Sequence, residues 1–149
     1  MKLPVEIKII NPAAAVPVRA TEMSAAVDLR VQLDGCEAVT IEPDMQVVLG
    51  TGLAINIGDA SWCAMILPRS GLGVKGVVLG NLVGLIDADY QGELKVCIWN
   101  RSAEPVTITN NDRVAQLLFV PVGIPDFKLV ESFTPTARGE GGFGSSGTC

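Results

Sequence analysis

Gly80-Asn81-Leu82-Val83-Gly84-Leu85-Ile86-Asp87-Ala88-Asp89-Tyr90-Gln91-Gly92-Glu93-Leu94 is the stretch that decides the fold. The apolar run Leu82 to Ile86 leads into two acids, an aromatic and a glycine, and a second apolar run, Leu94 to Trp99, leads out. Two such runs around turn residues predict a β-hairpin with Asp87, Asp89, Tyr90 and Gln91 near its turn. Gly80, Gly84 and Gly92 have no Cβ, so a flat ligand can approach the backbone there and have its edge read by exposed amides. The segment is either a pocket wall with a carboxylate at its lip or an ordinary turn, because Asp and Gly are also common turn residues.

The same pattern of short apolar runs broken by turn residues extends in both directions. Upstream, Val5 to Ile10 alternates as an edge strand would and stops at Asn11-Pro12; Ala25 to Val31 follows, with Asp28 and Arg30 inside it. Val39 to Ile41 and Met45 to Leu49 flank Glu-Pro-Asp, Thr51 to Ile57 continues after Gly50, and Trp62 to Leu67 ends at Pro68. Val77 to Leu79, Val106 to Ile108 and Val114 to Val122 complete the series. No window carries a long helical period, and the one local helix expected is a turn or so around Ser70 to Lys75, weakened by two glycines. Many short strands with Pro, Gly, Asn and Asp between them predict an all-β fold, a sandwich or distorted barrel of the jelly-roll type.

A chain of 149 residues is enough for one domain with a genuine core. Hydrophobic residues make up 48% of it and charged residues 18%, and no apolar run approaches the roughly 18–20 residues of a membrane span. So greasy a small domain is expected to hide part of its surface in an oligomer. The net charge of −5 argues against general nucleic-acid or anionic-membrane binding, yet leaves open a local site for one phosphate compound. The four cysteines have no CxxC spacing and there is no histidine, which disfavours zinc and leaves metal binding through oxygen. The first residues lack the pattern of a signal peptide, so a reduced, cytoplasmic protein is expected.

Four further stretches concentrate polar residues. Asp28 interrupts a strand-like run, where a solvent-facing acid is the commoner explanation. Pro68-Arg69-Ser70-Gly71-Leu72-Gly73 offers a guanidinium, a hydroxyl and unencumbered backbone N–H groups, as a phosphate chain requires. Arg113 and Gln116 sit in an apolar strand, where Gln116 either hydrogen-bonds a ligand or satisfies buried backbone groups. In the tail, Arg138 and Phe143 lie among glycines. That is either a plain disordered end or a lid that pairs with phosphate and stacks on a base.

In this order AAVDLR, PRSGLG, GNLVGLIDADYQG, RVAQLLFVPV and RGEGGFGSSG resemble the five motifs of the trimeric deoxyuridine triphosphate nucleotidohydrolases, the dUTPases, of bacterial type; the last four match closely and the first more loosely. The resemblance implies a jelly-roll-like β domain over residues 1–137 and a flexible Gly-rich lid over residues 138–149, in a homotrimer with interfacial active sites. It implies hydrolysis of dUTP to dUMP and pyrophosphate, by water attacking the α-phosphorus with Mg2+ on the triphosphate. By the same resemblance Asp87 is the general base, with Asp89 ranked second because the family pattern puts the base at the first acid. Asn81 resembles the uracil reader, and Tyr90 the ring under the deoxyribose that leaves no room for a 2′-hydroxyl. Ser70 and Gln116 are similar to phosphate-contacting donors, with Gly71 beside them, and Arg69 holds phosphate or the interface. Asp28 resembles the acid that engages magnesium through its water shell, Arg138 the partner of the γ-phosphate, and Phe143 the stack over uracil. Two alternatives remain: a dCTP deaminase-like enzyme, whose pattern has a glutamate on the strand after the turn where Leu94 to Ile98 has none, and a non-catalytic nucleotide-binding regulator.

Overall fold

The computed structural model describes residues 2–142. Within them the chain forms ten strands and one short helix: β1 (Glu6–Ile9), β2 (Val27–Arg30), β3 (Ala38–Ile41), β4 (Gln46–Asn56), β5 (Trp62–Pro68), α1 (Ser70–Gly73), β6 (Val77–Leu79), β7 (Gly84–Ile86), β8 (Glu93–Asn100), β9 (Val106–Thr109) and β10 (Arg113–Pro121). Two four-stranded sheets, ordered β1-β4-β8-β6 and β2-β10-β5-β7, enclose the core, and β3 pairs with β9 alone. Every pairing is antiparallel, as expected for a jelly-roll-like sandwich.

Alternation explains which faces turn inward. In β8, Leu94, Val96 and Ile98 are almost fully buried while Lys95, Cys97 and Trp99 point the other way. They meet Leu29, Ala64, Ile66, Ala115 and Leu117 from the opposite sheet in one hydrophobic cluster. At the end of β8 the polar residue Asn100 is wholly buried. Its Nδ2 donates to the carbonyls of Ile41 and Glu104 at 2.9 and 2.8 Å, and its Oδ1 accepts from the Ser102 amide and hydroxyl at 2.9 and 2.7 Å. A side chain with every polar atom satisfied can sit in a core without penalty and fixes the strand ends around it.

The segment Gly80 to Leu94 is not a hairpin. β7 pairs with β5, with Gly84 opposite Ile66 and Ile86 opposite Ala64. β8 pairs instead with β4 and β6. The segment is thus a crossover between the two sheets, and both flanking runs find partners far away in the chain. The first run is also shorter than its apolar residues suggest. The Leu82 amide donates to the Leu79 carbonyl at 3.0 Å and Leu82 itself adopts φ 62°, so the chain turns before β7 begins.

After β10 the described chain forms no strand or helix, and residues 121–140 are exposed throughout. Phe127, Leu129 and Phe133 are 89%, 99% and 88% exposed, and on the body Leu82, Leu85 and Val48 also face outward. Among the described residues no helix is long and apolar enough to cross a membrane.

Candidate active site

β2, β10 and β5 lie side by side, and their register gathers four sequence-predicted residues. Gln116 of β10 stands opposite Asp28 of β2 on one side and Leu67 of β5 on the other. Beyond β5 the chain leaves through Arg69, which is extended (φ −90°, ψ 135°), into the single turn of α1. The Arg69 side chain turns back, and its Nε donates to Asp28 Oδ1 at 2.9 Å while its terminal nitrogen donates to the Arg113 carbonyl at 3.2 Å. Arg113 in turn donates to Asp28 Oδ2 at 3.2 Å. Both oxygens of Asp28 are therefore clasped by guanidinium groups, which corrects the expectation of a free, solvent-facing acid.

The clasp leaves a cleft of about 610 Å³ lined by Asp28, Arg69, Ser70, Gly71, Arg113 and Gln116. Two arginines against one acid make it locally cationic in a chain of net charge −5. The amides of Ser70 and Gly71, two of the lining residues, belong to the first turn and have no intrahelical acceptor, which leaves them available as donors. Gln116 donates to the Pro68 carbonyl at 2.9 Å. It therefore satisfies backbone, and its amide keeps a second N–H for a ligand. Arg113 belongs to this set although its own role is not visible in the sequence. Its signal is the pairing of β10 with β2, which brings residues 85 positions apart into contact.

Asp87 and Asp89 stand elsewhere. The turn that carries them is tied to the end of β4 by the Ala88 carbonyl, which accepts from Ile57 and Gly58 at 3.2 and 3.0 Å. Asp87 and Asp89 are exposed, and neither carboxylate has a hydrogen-bond partner among the described residues, so both are free to accept from water. They border a second cleft of about 540 Å³ with Trp62, Cys63, Leu85 and Ala88. Nearby, Asp59 is held below the usual carboxylate range by the Ser61 hydroxyl and then the Ser61 amide.

Tyr90 is fixed by its neighbours. Its hydroxyl donates to the Glu93 carbonyl at 3.1 Å, and its ring lies so close to Gly92 that a Cβ there would come within 2.5 Å of the phenolic oxygen. Gly92 thus makes room for the chain's own ring, and Gly80 likewise makes room for Gln46 and Cys97. At these positions the missing Cβ serves internal packing, not the approach of a flat ligand. Asn81 is exposed, with its Nδ2 3.5 Å from where a Gly84 Cβ would stand.

One chain keeps the acids and the cationic cleft apart. Asp87 follows Ile86, which faces Ala64 near the start of β5, whereas Arg69 and Ser70 follow Pro68 at its end. Four residues of extended strand separate those ends, about 13 Å at roughly 3.3 Å per residue. Arg138 is exposed and donates to the Gly141 carbonyl of its own turn at 2.9 Å. Phe143 lies outside the described residues. Among the described residues no three or more acids, histidines or cysteines group together as a metal cage. Asp28 still suits a hydrated cation: a carboxylate offers about four lone-pair sites, two of which the arginines occupy. A hydrated magnesium is commonly held by one or two carboxylates together with substrate phosphates.

The structure also lengthens β8 by one residue at its start relative to the sequence reading, so the strand does begin with a glutamate, Glu93. Its carboxylate is engaged internally, accepting from the Gly52 amide at 2.9 Å.

Comparison with known proteins bears on what this arrangement does. A family model described as dUTPase matches residues 13–147. The deoxyuridine 5'-triphosphate nucleotidohydrolase of Neisseria meningitidis serogroup A is 54% identical over 150 residues, covering 99% of each chain. The protein of the same name from Cronobacter sakazakii is 55% identical over 148 residues, 96% of each chain. Among solved structures, the dUTPase of Staphylococcus bacteriophage 80alpha with dUPNHPP superposes with a TM-score of 0.86 at 28% identity, covering 99% of this chain and 100% of that one.

Proposed function

The chain belongs to the dUTPase family, and from that premise we infer how its residues divide the work. The protein is a dUTP diphosphatase: it hydrolyses dUTP to dUMP and pyrophosphate, which limits uracil entry into DNA and supplies dUMP. Neither a dCTP deaminase nor a non-catalytic regulator is favoured, since the curated relatives are nucleotidohydrolases.

The observation that carries the division of labour is the cationic cleft around Asp28, Arg69 and Arg113. A triphosphate needs this kind of surface: Arg69, the amides of Ser70 and Gly71, and Gln116 offer donors to its oxygens, with Arg113 adding charge. Asp87 orients the attacking water and takes its proton, as a free, solvent-facing carboxylate can. The water oxygen bonds to the α-phosphorus while the bond to the bridging oxygen breaks, and the electron pair leaves with pyrophosphate. The donors in the cleft neutralise the charge that grows on that leaving group. A divalent cation, which we propose is Mg2+, would be held by Asp28 through water and would add its charge to the triphosphate. Asn81 reads uracil, Tyr90 excludes a 2′-hydroxyl, and residues 138–149 form a lid in which Arg138 meets the γ-phosphate and Phe143 stacks on the base.

The wide separation of Asp87 from the cleft supports a site shared between copies. We propose a homotrimer, in which Asp87 of one subunit serves the cleft of another and the outward apolar residues of the body are covered. A cytoplasmic location completes the reading.

Pyrophosphate release measured with dUTP, dCTP, dTTP and UTP tests the assignment. Rapid release from dUTP alone is expected. Equal release from all four would refute the uracil and sugar readers, and no release from any would refute the catalytic roles.

A further inference from the structure

We propose that Glu93 is a positioning residue that bolts the Tyr90 ring to a bulge in β4, and so sets the discrimination against ribonucleotides; this rests on the reading of Tyr90 as the sugar filter.

The bulge lies where β4 and β8 fall out of register. Gly50 faces Lys95 and Ala54 faces Glu93, so three residues of β4 oppose one of β8. An irregularity of this kind persists where specific contacts hold it, and it re-aims nearby side chains. Three contacts do so here. Thr51, almost fully buried, donates its hydroxyl to the Leu94 carbonyl at 2.8 Å. The Gly52 carbonyl accepts from both Ile10 and Asn11, at 2.8 and 3.1 Å. The Gly52 amide donates to Glu93 Oε1 at 2.9 Å.

Gly52 makes a firm anchor. Its φ of 68° suits glycine, and Asn11, Ala14 and Gln32 crowd the position where a Cβ would stand. The carboxylate of Glu93 thereby ties residue 93 to a residue whose carbonyl is already held by the Ile10 and Asn11 amides. From the same residue the carbonyl receives the Tyr90 hydroxyl, while Gly92, without a Cβ, lets the ring lie close to the backbone. A steric filter discriminates only as well as its wall resists displacement, because one added oxygen is easily accommodated by a ring that can move.

Gly50 supplies an independent handle. A Cβ there would collide with Glu93 Oε1, the far end of a flexible side chain, while the backbone at Gly50 does not need a left-handed conformation. Gly50→Ala therefore pushes the carboxylate off the Gly52 amide without straining the strand.

The test is the ratio of kcat/KM for dUTP over UTP, with thermal midpoints recorded for every variant. Glu93→Ala and Gly50→Ala are expected to lower the ratio by about tenfold, close to the lower end of what one hydrogen bond to a charged group contributes. Glu93→Gln, whose amide oxygen still accepts from Gly52, is expected to keep it. A Tyr90→Leu control separates the two readings. If it lowers the ratio while Glu93→Ala and Gly50→Ala do not, the anchor is refuted and the filter stands. If it leaves the ratio unchanged, the filter itself falls and the anchor with it. Should Glu93→Ala fail to fold, Gly50→Ala decides alone, and a Glu93→Gln ratio as low as that of Glu93→Ala would assign the effect to charge and overturn the geometric role.

Discussion

Replacing Asp28 by Asn removes the negative charge from the centre of the two-arginine clasp while keeping one oxygen as an acceptor. The Arg69 bond is short, and the two side chains are 29% and 22% exposed. Hydrogen bonds to charged groups contribute about 1.5–3 kcal/mol when sheltered. Solvent screening brings this contact toward the lower end, and the Arg113 pair, with Arg113 46% exposed, adds at most about 0.5 kcal/mol. The expected loss is about 2 kcal/mol. Unfolding entropy near 2.1 cal/mol/K per residue gives roughly 0.3 kcal/mol/K for this chain, so the midpoint should fall by about 6 °C. Differential scanning calorimetry at one fixed protein concentration reads it, because an oligomer's midpoint depends on concentration. Turnover carries a second, separable effect: the apparent magnesium affinity should drop by about 10–100-fold, the range seen when a group that orients a metal's surroundings is lost. An unchanged midpoint would refute the clasp as a structural element. An unchanged magnesium dependence would refute Asp28 as the residue that meets the cation.

Asp87→Asn should reduce turnover by about 10²–10⁴-fold and Asp89→Asn by far less, measured as steady-state pyrophosphate release; the reverse order would move the base to Asp89. Truncation before Arg138 should leave a folded protein of the same oligomeric state but cripple turnover, and unchanged kinetics would leave the tail without a catalytic part. Sedimentation at micromolar concentration should give three copies, whereas a monomer with full activity would overturn the shared site.

Local features of the fold were legible because they depend on local physics. The strand over the apolar run Leu94 to Trp99, the stop at Pro68 and the single helical turn from Ser70 follow from local apolar runs and turn chemistry. Pairing was not legible, since it is settled between segments distant in sequence. Asp-Ala-Asp-Tyr marks a turn but not which strands it joins, and β7 went to β5 and β8 to β4 and β6. The site divides the same way. The cluster of donors at Arg69 to Gly71 stands out in the sequence, whereas the contact of Arg113 with Asp28 exists only after β2 and β10 align. The glycines around Tyr90 misled for a related reason: a missing Cβ signals close approach without saying whether a ligand or the chain's own ring approaches.

The length of β5 between Asp87 and Ser70 has a consequence for inheritance. If the acid of one subunit works on the cleft of another, two different dead proteins can rescue each other. Asp87→Asn subunits keep intact clefts and Arg69→Ala subunits keep intact acids, so random mixing in equal amounts restores about one quarter of the sites. A cell carrying one such allele of each kind would be healthier than a cell carrying either alone. Conversely, a subunit with both defects would silence sites it shares with normal neighbours and behave as a dominant lesion.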